Sequence, residues 1–315
     1  MSQQPQGMPP AIAHAPSRRR KSLLDIVLGS LMVGLFRLMR LTNRKRLADL
    51  LGALMRRVGP WLPEHRVGRA NLAAAFPDKS AMEIETILGG VWENLGRVAA
   101  EFAHLDRLRI LDFEQPTAAD VTYEKASFDR FLEIRRSGRG GIFFAGHLAN
   151  WEIPALAAAF YKMDTAVLYR RPNIRAVSDA VVKMRAGCMG TLIPSGLDAP
   201  VRLAHALEHG KLVGMLVDQH VVRGVDVTFF GRRCRANPLL AQLARHLEAP
   251  IRGVRVVRRP DGNSFWGELT EPIEPVRDGE GRIDVQGTTQ AIASVLESWV
   301  REHPEQWLWL HRRWR

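Results

Sequence analysis

Only two cysteines, Cys188 and Cys234, occur in 315 residues. They stand alone, so the chain indicates neither a disulfide framework nor a Cys-x-x-Cys metal site, and a reducing, cytoplasm-facing location fits. Lysine is scarce too, with seven among the 45 basic residues and 38 arginines making up the rest. Acidic residues number 33, which leaves a formal charge of +12. Zinc-finger spacing, an RNA-binding aromatic signature and basic-region heptads are all missing, which argues against nucleic acid as the partner. Gly-x-Ser-x-Gly is missing as well, which argues against a serine acyl-enzyme. No internal repeat is visible. What remains is an arginine-rich surface. Codon bias accounts for part of that richness, but the sign of the charge points to an anionic lipid or a phosphorylated substrate, whose oxygens guanidinium forks match.

No uninterrupted apolar run reaches the roughly 20 residues of a confident membrane span. Residues 1–21 are rich in Pro, Gln and Ala and end in Ser-Arg-Arg-Arg-Lys, the composition of a disordered basic tail. Residues 22–41 then read as a membrane anchor helix. They are apolar apart from Asp25, small residues at 29, 30 and 34, and Arg37 and Arg40. A tilted span, an interfacial helix and a soluble core helix all fit that length. No small-residue cleavage site follows, so removal as a signal peptide is not expected.

Residues 42–110 form a helical extension, with apolar residues at three- and four-residue spacing over 46–58 and 81–105. From 111 to 315 the pattern alternates. Strands are expected at 121–124, 141–145, 165–169, 191–194, 212–217, 225–230, 251–257 and 265–269. Helices are expected at 127–137, 151–162, 174–187, 198–209 and 237–248. Such alternation predicts an α/β fold, a central mixed sheet flanked by helices.

The segment GIFFAGHLANWE, residues 141–152, carries the chemistry. A buried strand is broken by Gly146, and Asn150 is a suitable N-cap for a helix starting near Trp151. His147 falls on the strand-to-helix turn, where open α/β sheets place ligands. An imidazole there can act as a base near neutral pH, and Glu152, one helical turn on, could orient it. Ten histidines and 33 acidic residues predict roughly one such spacing by chance. A structural His–Glu pair therefore stands beside a catalytic one.

Other strand ends add candidates. Arg170 and Arg171 follow the strand at 165–169, and Lys183 and Arg185 lie on the next helix. These are phosphate-binding forks or a solvated charged loop. The apolar strand at 212–217 ends in Asp218-Gln219-His220, either a site wall or a polar turn. Metal binding by Asp218 and His220 would need a third ligand that the sequence does not identify. The terminal HPEQWLWLHRRWR suits a membrane interface or a tail packed on the sheet with Trp307 and Trp309 buried, and suggests no catalytic role.

Taken in order, GHLANWE, YRRPN, LVDQH with RGVDVTFFG, and HPEQWLWLHRRWR resemble the lipid A secondary acyltransferases, over roughly residues 25–315. These belong to the lysophospholipid acyltransferase-like superfamily. The resemblance implies a glycerolipid acyltransferase-like fold and a bacterial inner-membrane enzyme at the cytoplasmic face. It implies transfer of a fatty acyl chain from acyl carrier protein to a hydroxyl of an anionic glycolipid, the lipid A precursor, without cofactor or metal. It places the family's His-x-x-x-x-acid pair on His147 and Glu152 as catalytic residues. Arg170 or Arg171, Arg185 and Asp218 fall at positions the family uses around its substrate. His220 and the VTFFG segment depart from the usual pattern, which bears on fine substrate choice. Two alternatives stay open: an acyltransferase for another acceptor, such as a lysophospholipid or ornithine lipid, and a non-catalytic lipid-binding protein of the same fold.

Overall fold

The computed structural model describes residues 23–112, 118–170 and 175–314. The expected basic tail at 1–21 and Arg171 lie outside them. Helix α1 covers Leu23–Met39. Among the described residues no helix is long and apolar enough to cross a membrane. Leu31, Leu35 and Leu38 of α1 are nonetheless exposed.

Helices α2 (Arg44–Val58), α3 (Pro63–Ala75) and α4 (Ala81–Phe102) follow. Each start has a chemical cause. Asn43 accepts the N–H of Arg46 ahead of α2, Pro63 opens α3 at a position where its missing N–H costs nothing, and Ser80 and Glu83 form a reciprocal capping box on α4. Helices α2 and α4 pack backbone to backbone at Gly96, where a Cβ would lie 2.2 Å from the Leu51 carbonyl oxygen.

The α/β part runs β1 (Val121–Tyr123), α5 (Lys125–Ser137), β2 (Gly141–Ala145), α6 (Ile153–Phe160), β3 (Thr165–Tyr169), α7 (Arg175–Ala186), β4 (Thr191–Pro194), α8 (Ala199–Glu208) and β5 (Leu212–Leu216). It continues through β6 (Val225–Phe229), β7 (Arg232–Ala236), α9 (Leu239–Leu247), β8 (Ile251–Arg258), β9 (Phe265–Ile273) and α10 (Val285–Glu302). Seven strands form one sheet in the order β1-β9-β8-β2-β5-β3-β4. From β8 to β4 neighbours are parallel; β8 and β9 are antiparallel, which makes the sheet mixed.

Two expectations are corrected here. The strand expected at 225–230 does not join the main sheet; it pairs with β7 in a separate antiparallel hairpin. The helix expected from 151 starts at Ile153. β7 and α10 were not anticipated. The sequence RRCRA of β7 buries only the small Cys234 and Ala236 among its arginines, too little for an apolar strand signal.

The pleat of β2 divides the interior. Ile142 and Phe144 join a core built with α3, α4, α8, α9, α10 and the chain end, including Trp92, Trp299, Trp307 and Trp309. Phe143 and Ala145 face the other side, toward α5 and α6. That second side holds the site.

Candidate active site

Strands β2 and β5 are parallel neighbours, with Ala145 opposite Leu216. Two residues beyond each partner stand His147 and Asp218, so the register of the sheet brings the two side chains to the same level. Asp218 is buried, and it accepts the His147 Nδ1–H at 2.7 Å, the His147 backbone N–H at 2.6 Å and the Trp307 indole N–H at 2.7 Å. Burial opposes its ionisation, but the electrostatic attraction of the His147 ring and these donors outweigh burial and hold the carboxyl well below the usual carboxylate range. The Gln219 side-chain amide donates to His147 Nε2 at 3.1 Å. This network assigns the proton to Nδ1 and the lone pair to Nε2. Gly146 makes the approach feasible, since a Cβ there would sit 3.1 Å from Asp218 Oδ2 and 3.0 Å from Leu296.

The expected His147–Glu152 contact is replaced by His147–Asp218. The chain between His147 and Glu152 turns sharply: Ala149 has a left-handed φ of 46°, a conformation that costs about 1 kcal/mol for a residue with a Cβ and persists only when its surroundings impose it. They do. The Ala149 N–H donates to the Gln306 carbonyl at 2.9 Å, its own carbonyl accepts from Asn94 at 3.2 Å, and Asn150 donates to Glu101 at 2.9 Å. Glu101 is in turn paired with Arg258 in the interior. Asn150 also accepts the Glu152 N–H at 3.2 Å in a turn ahead of α6, but it is not the expected N-cap: that position is held by Glu152, without a side-chain cap bond. The turn sends the Glu152 carboxylate to Arg185 of α7, which grips it with two donors, Nε at 2.8 Å and one terminal nitrogen.

A cavity of about 580 Å³ opens beside these groups. Its polar lining includes His147, Glu152, Arg170, Arg185, Gln219 and His220. The remainder is largely apolar, with Phe143, Val167, Gly214, Leu216 and Val254 from the sheet and the small Ala155 and Ala158 from α6. Because both ends of β3 and β5, Thr165 with Tyr169 and Leu212 with Leu216, line it, the cavity extends along the strands for about 13 Å at 3.3 Å per residue. Among the described residues no group of three His, Cys, Asp or Glu side chains could hold a metal ion.

The family model for bacterial lipid A biosynthesis acyltransferases matches residues 16–315. The chain belongs to that family. It is therefore an enzyme that transfers acyl groups in lipid A synthesis. A search of curated proteins returned no match.

In this acyltransferase the sequence-predicted residues divide into two pairs, His147 with the buried Asp218 behind it and Glu152 with Arg185; His147, Glu152 and Arg185 line the cavity. Arg170 is exposed at the same wall. Trp307, given no role on sequence grounds, is bonded to the buried carboxylate. Burial pushes the Cys188 thiol up to about 11, so it stays protonated and a poor nucleophile at neutral pH.

Proposed function

We propose that this acyltransferase moves a fatty acyl chain from acyl carrier protein directly onto a hydroxyl of a lipid A precursor at the cytoplasmic face of the bacterial inner membrane, with His147 as general base. The observation that carries this reading is His147 on the wall of a long, largely apolar cavity, backed by the buried Asp218. The acyl chain of the thioester fills the cavity. The acceptor hydroxyl takes the place of the Gln219 amide at His147 Nε2 and loses its proton there as its oxygen attacks the thioester carbonyl. Asp218 holds the ring and stabilises the imidazolium, the part first expected of Glu152. When the tetrahedral intermediate collapses, the C–S bond breaks and the imidazolium returns its proton to the leaving sulfur. The products are an ester and a free carrier thiol.

Arg185, fixed by Glu152, presents a preorganised cation on the cavity wall for the developing oxyanion or a phosphate of the acceptor. The N–H groups of Glu152 and Ile153 at the start of α6 are already given to Asn150, which favours the guanidinium over that helix start. The Cys188 thiol, pushed up to about 11 by burial, is a poor nucleophile, which favours direct transfer over an acyl-enzyme. The exposed apolar residues of α1, with Arg37 in its last turn, favour an interfacial anchor.

Detergent-solubilised protein incubated with acyl carrier proteins of several chain lengths, and with a lipid A precursor or a lysophospholipid, tests the reading by mass spectrometry. One added acyl chain on the lipid A precursor is expected. Acylation of the lysophospholipid alone would overturn the acceptor.

A further inference from the structure

The chain end reaches both loops that carry the catalytic pair. On the His147 loop, Leu148 forms an antiparallel bridge with Trp307, Leu308 donates its N–H to the His147 carbonyl at 3.2 Å, and Ala149 donates to the Gln306 carbonyl at 2.9 Å. On the Asp218 loop, the Trp307 indole donates to Asp218 Oδ2 at 2.7 Å and Arg313 donates to the Gln219 carbonyl at 3.1 Å; Arg313 also donates to the Arg235 carbonyl of β7 at 2.9 Å. We propose that the chain end braces the catalytic pair through Trp307, a positioning residue that locks the Asp218 carboxylate so that Oδ1 faces His147. The inference rests on the acyl-transfer reading given above.

The Asp218 carboxylate has two oxygens and can turn about its Cβ–Cγ bond. Oδ1 takes the His147 ring, and Oδ2 takes the backbone N–H of His147 and the indole N–H. Both donors on the His147 side move with the His147 loop. The indole is the donor from outside that loop, so it fixes the carboxylate relative to a separate element. Trp307 is itself 1% exposed and packs edge-on against Trp309 with ring centroids 4.6 Å apart, so its position is set by the core rather than by the site. Preorganising a catalytic group in this way requires a support whose own rotamer is locked. Tryptophan supplies a rigid ring with one donor and no acceptor, a match for a buried anion.

Trp309 is an internal control. It is buried in the same segment, and its indole N–H donates to the Pro304 carbonyl at 2.8 Å, away from Asp218. Trp307→Phe removes the donor and keeps an aromatic ring, and 3-benzothienylalanine at position 307 keeps the bicyclic shape while replacing the N–H by sulfur. Each is assayed by single-turnover acyl transfer with its melting temperature measured in parallel. Loss of this charge-assisted bond should lower kcat by about tenfold with KM unchanged. In an Asp218→Asn background the same change should cost nothing further, because the group it acts through is gone. Trp309→Phe should cost the same small factor in both backgrounds.

Wild-type kcat in the folded Trp307→Phe or benzothienylalanine protein overturns the inference, as does an equal loss with and without Asp218→Asn. No transfer by the wild-type protein would instead fail the underlying reading.

Discussion

His147 and Asp218 stand 71 positions apart in the chain and meet because β2 and β5 are adjacent parallel strands that end in register. The pair is thus a product of sheet order, with one imidazole and one buried anion that fixes its tautomer. Asp218→Asn retains the shape but presents a neutral amide to Nδ1. By analogy with other His–Asp pairs, kcat should fall by about ten-thousand-fold while the protein still folds. Steady-state acyl transfer with circular dichroism on the same sample checks both halves.

Glu152 and Arg185 form the second pair on the cavity wall, and the Glu152 side chain is only 7% exposed. Removing one partner of so enclosed an ion pair leaves the other charge without compensation. Arg185→Ala should therefore destabilise the protein by about 3–5 kcal/mol. Arg185→Lys keeps the charge without the planar fork and should fall between it and wild type. Urea unfolding followed by tryptophan fluorescence measures the order.

These pairs show where the sequence was readable. The strand at 141–145, its break at Gly146 and the polar end of the strand at 212–216 were legible, because apolar runs and their interruption are local signals. The partnership was not. His147 and Glu152 are close in the chain, so a helical-turn argument joined them, whereas the left-handed Ala149 and the buried Asn150 redirect Glu152 to Arg185. Nothing local to residues 141–152 reveals that β5 lies beside β2. Similarly, the terminal tryptophans were legible as membrane-facing or buried, and Trp307 and Trp309 are buried. The bond from Trp307 to Asp218 depends on tertiary packing that no spacing encodes.

Gly214 lines the cavity on β5 opposite Phe143. A Cβ at this position would meet only Val167, at 3.9 Å, so a side chain can be accommodated at the expense of cavity length. Gly214→Leu should shift the preferred donor to shorter acyl chains by several carbons' worth of cavity, without loss of the fold. Competition between carrier proteins bearing different chains, read by mass spectrometry of the product, checks the shift.

His311 lies beside Trp307, ring centroids 5.7 Å apart. Burial pushes its imidazole below the ordinary histidine value, against the opposing pull of Asp218. The unfolded chain therefore binds a proton more readily than the folded one. The stability this contributes is fully present above the unfolded value of about 6.5 and is lost as pH falls below it. Melting temperatures of the wild type should drop between about pH 7 and pH 5.5, where this imidazole titrates in the unfolded chain, and His311→Gln should flatten that slope.

The proposed transfer requires His147 to accept the hydroxyl proton. Mass spectrometry of a lipid A precursor incubated with acyl carrier protein thioester should show one added acyl chain with wild-type protein. With folded His147→Ala, transfer should fall by at least about a hundred-fold. Transfer by His147→Ala at close to the wild-type rate would contradict the mechanism.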